Sequence, residues 1–226
     1  GLMGQAQAGA DTGACTIDPK TGLPVYNLYG KGQAEAERAL EDLDTVFFDI
    51  QDVGARFYTY AYTMTDTMKI CAEKGIRFIV LDRPNPLGGR VTEGTILDGR
   101  FSSFVGRFPT ATRSGLTIGE FARMMNDTER IGCDLAVIPC AGWTREMYFD
   151  DTDLVCVAPS PNIPTVDSAF SYIGTCMFEG TNVSEGRGTT QPFEVIGAPW
   201  MNVEKVLMLL GKQEGVLFRE TAFVPT

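Results

Sequence analysis

The chain has 226 residues, 44% of them hydrophobic, and a formal charge of −10 from 19 basic and 29 acidic side chains. That length supports a full core in one or two domains, and the composition is that of an ordinary globular protein. Too few Lys and Arg are present for a duplex-binding surface, no apolar run of about 18 residues could span a membrane, and the absence of histidine excludes Ser-His-Asp and Cys-His catalysis.

Residues 1–30, rich in Gly, Ala, Pro and Thr, read as an extended arm or loop. A short helix is predicted over Gln33–Leu43, rich in Ala, Glu and Leu. "TVFFDI" (Thr45–Ile50) is an apolar run of strand length, of the kind that suits a parallel strand buried on both faces. Phe57, Ala61, Met64, Met68 and Cys71 recur at helical spacing, which predicts a helix over Phe57–Glu73 closed by Lys74-Gly75. "RFIVLD" (Arg77–Asp82) is a second buried strand. "LTIGEFARMMNDTERIG" is a helix whose Thr117 and Glu120 form a capping box. "DLAVIP" (Asp134–Pro139) is a third strand. Strand and helix alternating in this way predict an α/β fold with a Rossmann-like parallel sheet.

The proline-rich stretch Trp143–Pro164 suggests a boundary, so we expect a first domain over 1–165 and the start of a smaller α+β domain over 166–226. In the second, Ser168–Phe178 is a candidate helix, Asn202 caps a helix running to Leu210, and "VLFRETAFV" alternates like a strand. The six cysteines (Cys15, Cys71, Cys133, Cys140, Cys156, Cys176) form no Cys-x-x-Cys pair and there is no histidine, so a zinc site of the usual Cys/His type is not expected. No cofactor is expected. Acid–base chemistry falls to carboxylates, Tyr, Lys or Cys.

Polar residues gather just past the predicted strands. "DIQDVGARFYTY" places Asp49, Asp52 and Arg56 past the first, and "DRPNPLGG" places Arg83 and Asn85 past the second. Ligands of open α/β sheets bind beyond the carboxyl ends of strands. The plainer alternative is a helix-start ion pair, Asp52–Arg56, and an ordinary turn at Asp82–Arg83. A third cluster, "FEGTNVSEGRGTTQPFE", carries Glu179, Asn182, Glu185 and Arg187 among glycines and threonines. It lacks the fingerprints of a P-loop or a dinucleotide site, and reads either as a solvated acidic loop or as a polar wall suited to a sugar bearing a carboxylate.

Taken together, "FDIQDVGARFYTY", "VLDRPNPLGG", "SGLTIGE", "PSPNIPT" and "GTCMFEGTNVSEGRGTTQPFEVIGAPW" resemble, in order, the NamZ-type exo-β-N-acetylmuramidases. The resemblance implies a Rossmann-like domain, a smaller C-terminal domain and a metal-free sugar cleft with the "SEGRGTT" loop as one wall. It implies hydrolysis that frees N-acetylmuramic acid from the non-reducing ends of peptidoglycan fragments, in an extracellular or periplasmic setting. The family's Glu-His-Gly would fall just upstream of Gly1-Leu2-Met3-Gly4, and Ser114 stands where the family commonly has a histidine; by this alignment both ends of a family member lie outside the chain. Within it, Asp49, Asp52 and Glu185 are the candidate catalytic carboxylates. Arg187 or Arg56 would bind the lactyl carboxylate, since a guanidinium fork matches a carboxylate. Tyr58 and Tyr60 would stack on the sugar or serve the core; Arg83, Asn85, Asn162, Glu179 and Asn182 complete the binding candidates. Two rival readings are a muropeptide-binding fragment without turnover and an enzyme of nucleotides or phosphorylated sugars.

Overall fold

The computed structural model describes residues 15–28 and 33–225; the Gly1–Gly4 element lies outside them. The chain divides at Pro161–Asn162 into two compact units.

The first unit opens with an antiparallel ribbon of β1 (Cys15–Ile17) and β2 (Pro24–Tyr26), where the sequence suggested only an extended arm. Its turn is made by Asp18, whose carboxylate accepts from Thr21 N and Oγ1 at 3.1 and 2.6 Å, and by Gly22 at φ +71°. Helix α1 (Gln33–Ala39) then leads into a three-stranded parallel sheet, β3 (Thr45–Phe48), β4 (Arg77–Leu81) and β5 (Leu135–Ile138), with β4 in the centre.

The parallel register sets Phe48, Val80 and Val137 side by side and turns Phe47, Ile79 and Ala136 to the other face. Helices α2 (Tyr60–Lys74) and α3 (Ile118–Thr128) cover the first face. Phe78, Val80, Met64, Met68 and Cys71 form the centre of that core. The expectation of strands buried on both faces is corrected: Phe47 is 62% and Ile138 53% exposed, because no described helix packs on their face.

Helix α2 starts at Tyr60 rather than Phe57. The preceding backbone is already engaged, since Arg56 N donates to Thr112 O at 2.8 Å and Ala55 bridges Arg113. Gly75 ends the helix in the left-handed region at φ +69°. The capping box of α3 forms as the sequence predicts: Thr117 Oγ1 accepts from Glu120 N, and Glu120 accepts from Thr117 N at 3.0 Å. Asp82, at the end of β4, adds a tertiary clasp. It accepts from Thr117 Oγ1 at 2.7 Å and Gly119 N at 2.8 Å, so this carboxylate occupies the positive end of α3.

The second unit contains α4 (Val166–Thr175), a 3-10 turn over Cys176–Gly180, and α5 (Val203–Leu210) capped by Asn202. Thr165 caps α4, and Glu194 accepts from Ser168 Oγ at 2.6 Å, which ties the helix start to the glycine-rich loop. The strand predicted at "VLFRETAFV" is not formed. Among the described residues that run takes part only in an isolated bridge at Val216, and alternation without a hydrogen-bonded neighbour does not make a strand.

Candidate functional site

Asp52 sits eight residues before α2 begins at Tyr60, held by the turn at Gly54. Gly54 N donates to Asp52 Oδ2 at 2.7 Å, while Oδ1 is buried with no hydrogen-bond partner among the described residues. Loss of water raises the carboxyl from 3.8 to about 6, against the lowering effect of the backbone N–H groups of Gly54 and Val53. Gly54 itself is required there: at φ +72°, a Cβ would lie 2.4 Å from Asn85 Oδ1. Beside Asp52 is a cavity of about 20 Å³, enough for roughly one water. It is lined in part by Tyr62, Thr117 and Ser114, the residue standing where the resemblance expects a histidine.

Asp49 is more open. It follows β3, and its Oδ1 receives both Arg83 Nε at 2.9 Å and Nη2 at 2.6 Å, so an ion pair joins the ends of β3 and β4. Tyr58 is buried, with its ring edge-on to Tyr60 at 5.1 Å between centroids. Burial pushes the Tyr58 phenol up, helped by repulsion from Tyr60 and Asp52. Tyr60 is half-buried and reaches Pro159 O at 3.5 Å. Two of the predicted binding residues are engaged internally. Arg56 Nη1 donates to Thr95 O and Thr110 O at 2.5 and 2.7 Å, and buried Asn85 clips Leu116 O and Leu87 N, both at 2.9 Å.

In the second unit, Arg187 lies between two carboxylates. It donates to Glu179 and, through Nε, to Glu185 at 2.8 Å, and its guanidinium covers the Phe193 ring at 5.1 Å. Glu185 is buried and Asn182 exposed; Asn162 is buried near the start of the unit. Phe193 is held at φ +67° while fully buried, a strained backbone for a residue with a Cβ. Its N–H donates to Glu185 O at 2.6 Å, and its carbonyl accepts from Thr175 Oγ1 at 2.8 Å. The loop's stiffness thus comes from a buried aromatic anchor as well as from its glycines.

The sites named from sequence therefore fall into two groups, one within each unit. Asp49, Asp52, Arg56, Tyr58, Tyr60, Arg83 and Asn85 belong to the first unit, and Asn162, Glu179, Asn182, Glu185 and Arg187 to the second. Among the described residues no three His, Cys, Asp or Glu side chains gather as a ligand set for a metal ion.

The family model described as Exo-beta-N-acetylmuramidase NamZ, N-terminal, matches residues 1–167, and its C-terminal counterpart matches 170–226. The chain belongs to the NamZ family. It is 51% identical over its whole length to the peptidoglycan beta-N-acetylmuramidase NamZ of Bacillus subtilis (strain 168), of which it covers 55%. Two crystal structures of DUF1343 family proteins from Bacteroides fragilis NCTC 9343 share the fold. One has a TM-score of 0.79 at 41% identity, over 86% of this chain and 51% of that one. The other has a TM-score of 0.73 at 42% identity, over 82% and 51%. The chain spans about half the length of each of these relatives.

A second, larger cavity in the first unit, about 340 Å³, to which Arg90, Arg113 and Arg145 contribute, is not foreshadowed by any motif. These arginines are more than twenty residues apart along the chain, and all stand outside the polar clusters, although Arg90 directly follows "DRPNPLGG". No local pattern could have grouped them.

Proposed function

We propose that the chain is part of a glycoside hydrolase that frees N-acetylmuramic acid from the non-reducing ends of peptidoglycan fragments, with Asp52 as its general acid. One observation carries the assignment within the chain: a buried carboxyl with an unpaired oxygen, raised to about 6, beyond the carboxyl end of a parallel strand. A carboxyl in that range holds its proton in mildly acidic solution and can deliver it to a departing glycosidic oxygen. The activity of the Bacillus subtilis relative, a peptidoglycan beta-N-acetylmuramidase, supports the reaction class.

Glycosidases pair such an acid with a second carboxylate or with the substrate's own acetamido group. Asp49, fixed by Arg83, is the candidate partner in the same unit. Glu185 is committed to Arg187, and we assign it to shaping the loop. In this reading the enzyme works outside the cell or in the periplasm, where glycan fragments arise, and its product enters cell-wall recycling.

The test is release of chromophore from a nitrophenyl β-N-acetylmuramide. Turnover by the chain, with loss of at least about 100-fold in Asp52→Asn, is the expected result for a general acid. Full activity in Asp52→Asn would remove Asp52 from that role. Tight binding of the sugar with no turnover would favour the non-catalytic reading instead.

A further inference from the structure

The 340 Å³ cavity lies among the segments that follow β4 and β5, on the side of the sheet where open α/β folds bind ligands. Its size is within the range of about 300–1,000 Å³ typical of small-molecule sites. Three guanidinium groups and one carboxylate, Glu146, supply its charge, in a chain whose net charge is −10.

The arginines differ in what they are free to do. Arg113 donates Nη1 to Glu93 at 2.9 Å and Nη2 to Leu87 O, and its Nε is buried with no acceptor among the described residues. Arg145 donates Nη1 to Gly89 O and Gly115 O at 3.2 and 3.1 Å and Nη2 to Glu120. These two are fixed in place, and each is balanced by a carboxylate, Glu93 or Glu120. Arg90 is 70% exposed and forms only a long ion pair with Glu146, at 3.9 Å, too far for a hydrogen bond. Its planar fork is placed to take a carboxylate in two-pronged fashion.

Tyr148 supplies an apolar platform at the same cavity. Its ring, 41% exposed, rests on Gly88, where a Cβ would lie 3.2 Å from the ring edge. A partly exposed aromatic face beside a cationic fork suits a sugar that bears an acid group. The two arginines first considered for that acid, Arg56 and Arg187, are spent on backbone carbonyls and on glutamates.

We propose that this cavity is a subsite for an acidic sugar, in which Arg90 reads the lactyl carboxylate and Tyr148 carries the ring. The proposal rests on the glycosidase reading for the identity of the sugar and on the cavity for the site. The test is titration of the chain with N-acetylmuramic acid, N-acetylglucosamine and D-lactate, followed by calorimetry and by arginine side-chain NMR.

The expected result is N-acetylmuramic acid binding at least about tenfold more tightly than N-acetylglucosamine, equivalent to about 1.4 kcal/mol. Arg90→Ala abolishes that preference, Arg90→Lys keeps part of it, and D-lactate alone shifts the Arg90 signal. Because Arg90 is exposed, its variants should fold; an unchanged melting temperature checks this. Undiminished preference in Arg90→Ala overturns the subsite and leaves the glycosidase reading standing. D-lactate shifting Arg90 while neither sugar binds overturns the sugar reading and keeps an anion site. Binding of none of the three overturns the subsite.

Discussion

Replacing Asp52 by Asn removes one titrating carboxyl and keeps an oxygen that can accept from Gly54 N. In the folded chain the Asp52 carboxyl is raised from 3.8 to about 6. Between those values the folded state keeps a proton that the unfolded state has lost, so the native state binds more protons and stability falls as pH rises. Roughly two pH units at about 1.4 kcal/mol each give about 3 kcal/mol, present below about pH 4 and lost by about pH 7. The assay is urea unfolding from pH 4 to 8, followed by tryptophan fluorescence. The variant's stability relative to the parent should grow from near zero at pH 4 to about 3 kcal/mol at pH 7. The exposed carboxylates titrate equally in both proteins and cancel in the difference. Parallel pH profiles for the two proteins would show that Asp52 ionises as an ordinary surface acid, and the general-acid assignment would lose its support.

Three further substitutions test the frame around the site. Thr117→Ala removes both a helix cap and a donor to Asp82, and should cost about 1–2 kcal/mol by chemical denaturation; an unchanged midpoint would mean that the clasp at α3 is idle. Gly54→Ala combines a positive φ with a Cβ placed 2.4 Å from Asn85 Oδ1, so at least about 2 kcal/mol should be lost, with Asp52 displaced; a melting temperature equal to the parent's would contradict the turn geometry. Arg187→Ala leaves buried Glu185 without its cation and uncovers Phe193, and should weaken the second unit by about 1–3 kcal/mol. Faster amide exchange confined to residues 162–225 is the expected signature, and unchanged exchange there would refute it.

The elements that the sequence shows best are those whose signal is local. The α3 capping box needs only Thr117 and Glu120 three residues apart, and the end of α2 needs only a glycine free to take φ +69°. The three strands are visible as apolar runs, but their exposed face is not, because Phe47 and Phe48 look alike until the register assigns them to opposite sides. The start of α2 is set by bonds to Thr112, more than fifty residues away, which no window of sequence contains. The ribbon β1–β2 escaped because its strands have only three residues each, although Asp18 and Gly22 mark its turn. The run "VLFRETAFV" shows the opposite failure: its alternation is real, but a strand is a relation between two segments.

The candidate site divides along the same line. Asp49 and Arg83 could be matched from sequence because each follows a parallel strand, and adjacent parallel strands bring their ends together. The arginines were harder to read, since a guanidinium's role depends on acceptors that are mostly backbone carbonyls. Arg56 and Arg187 sit in conspicuous polar motifs, yet the first staples Thr95 and Thr110 and the second balances two glutamates. Arg90 sits at the margin of a motif, held only by a long ion pair to Glu146 at 3.9 Å. A carboxylate-bearing ligand gains most from the cation whose donors are not already satisfied, because displacing an existing partner costs about what the new bond returns. Availability, rather than presence in a conspicuous motif, is therefore the physical criterion that favours Arg90 over Arg56 and Arg187 for reading an acid group.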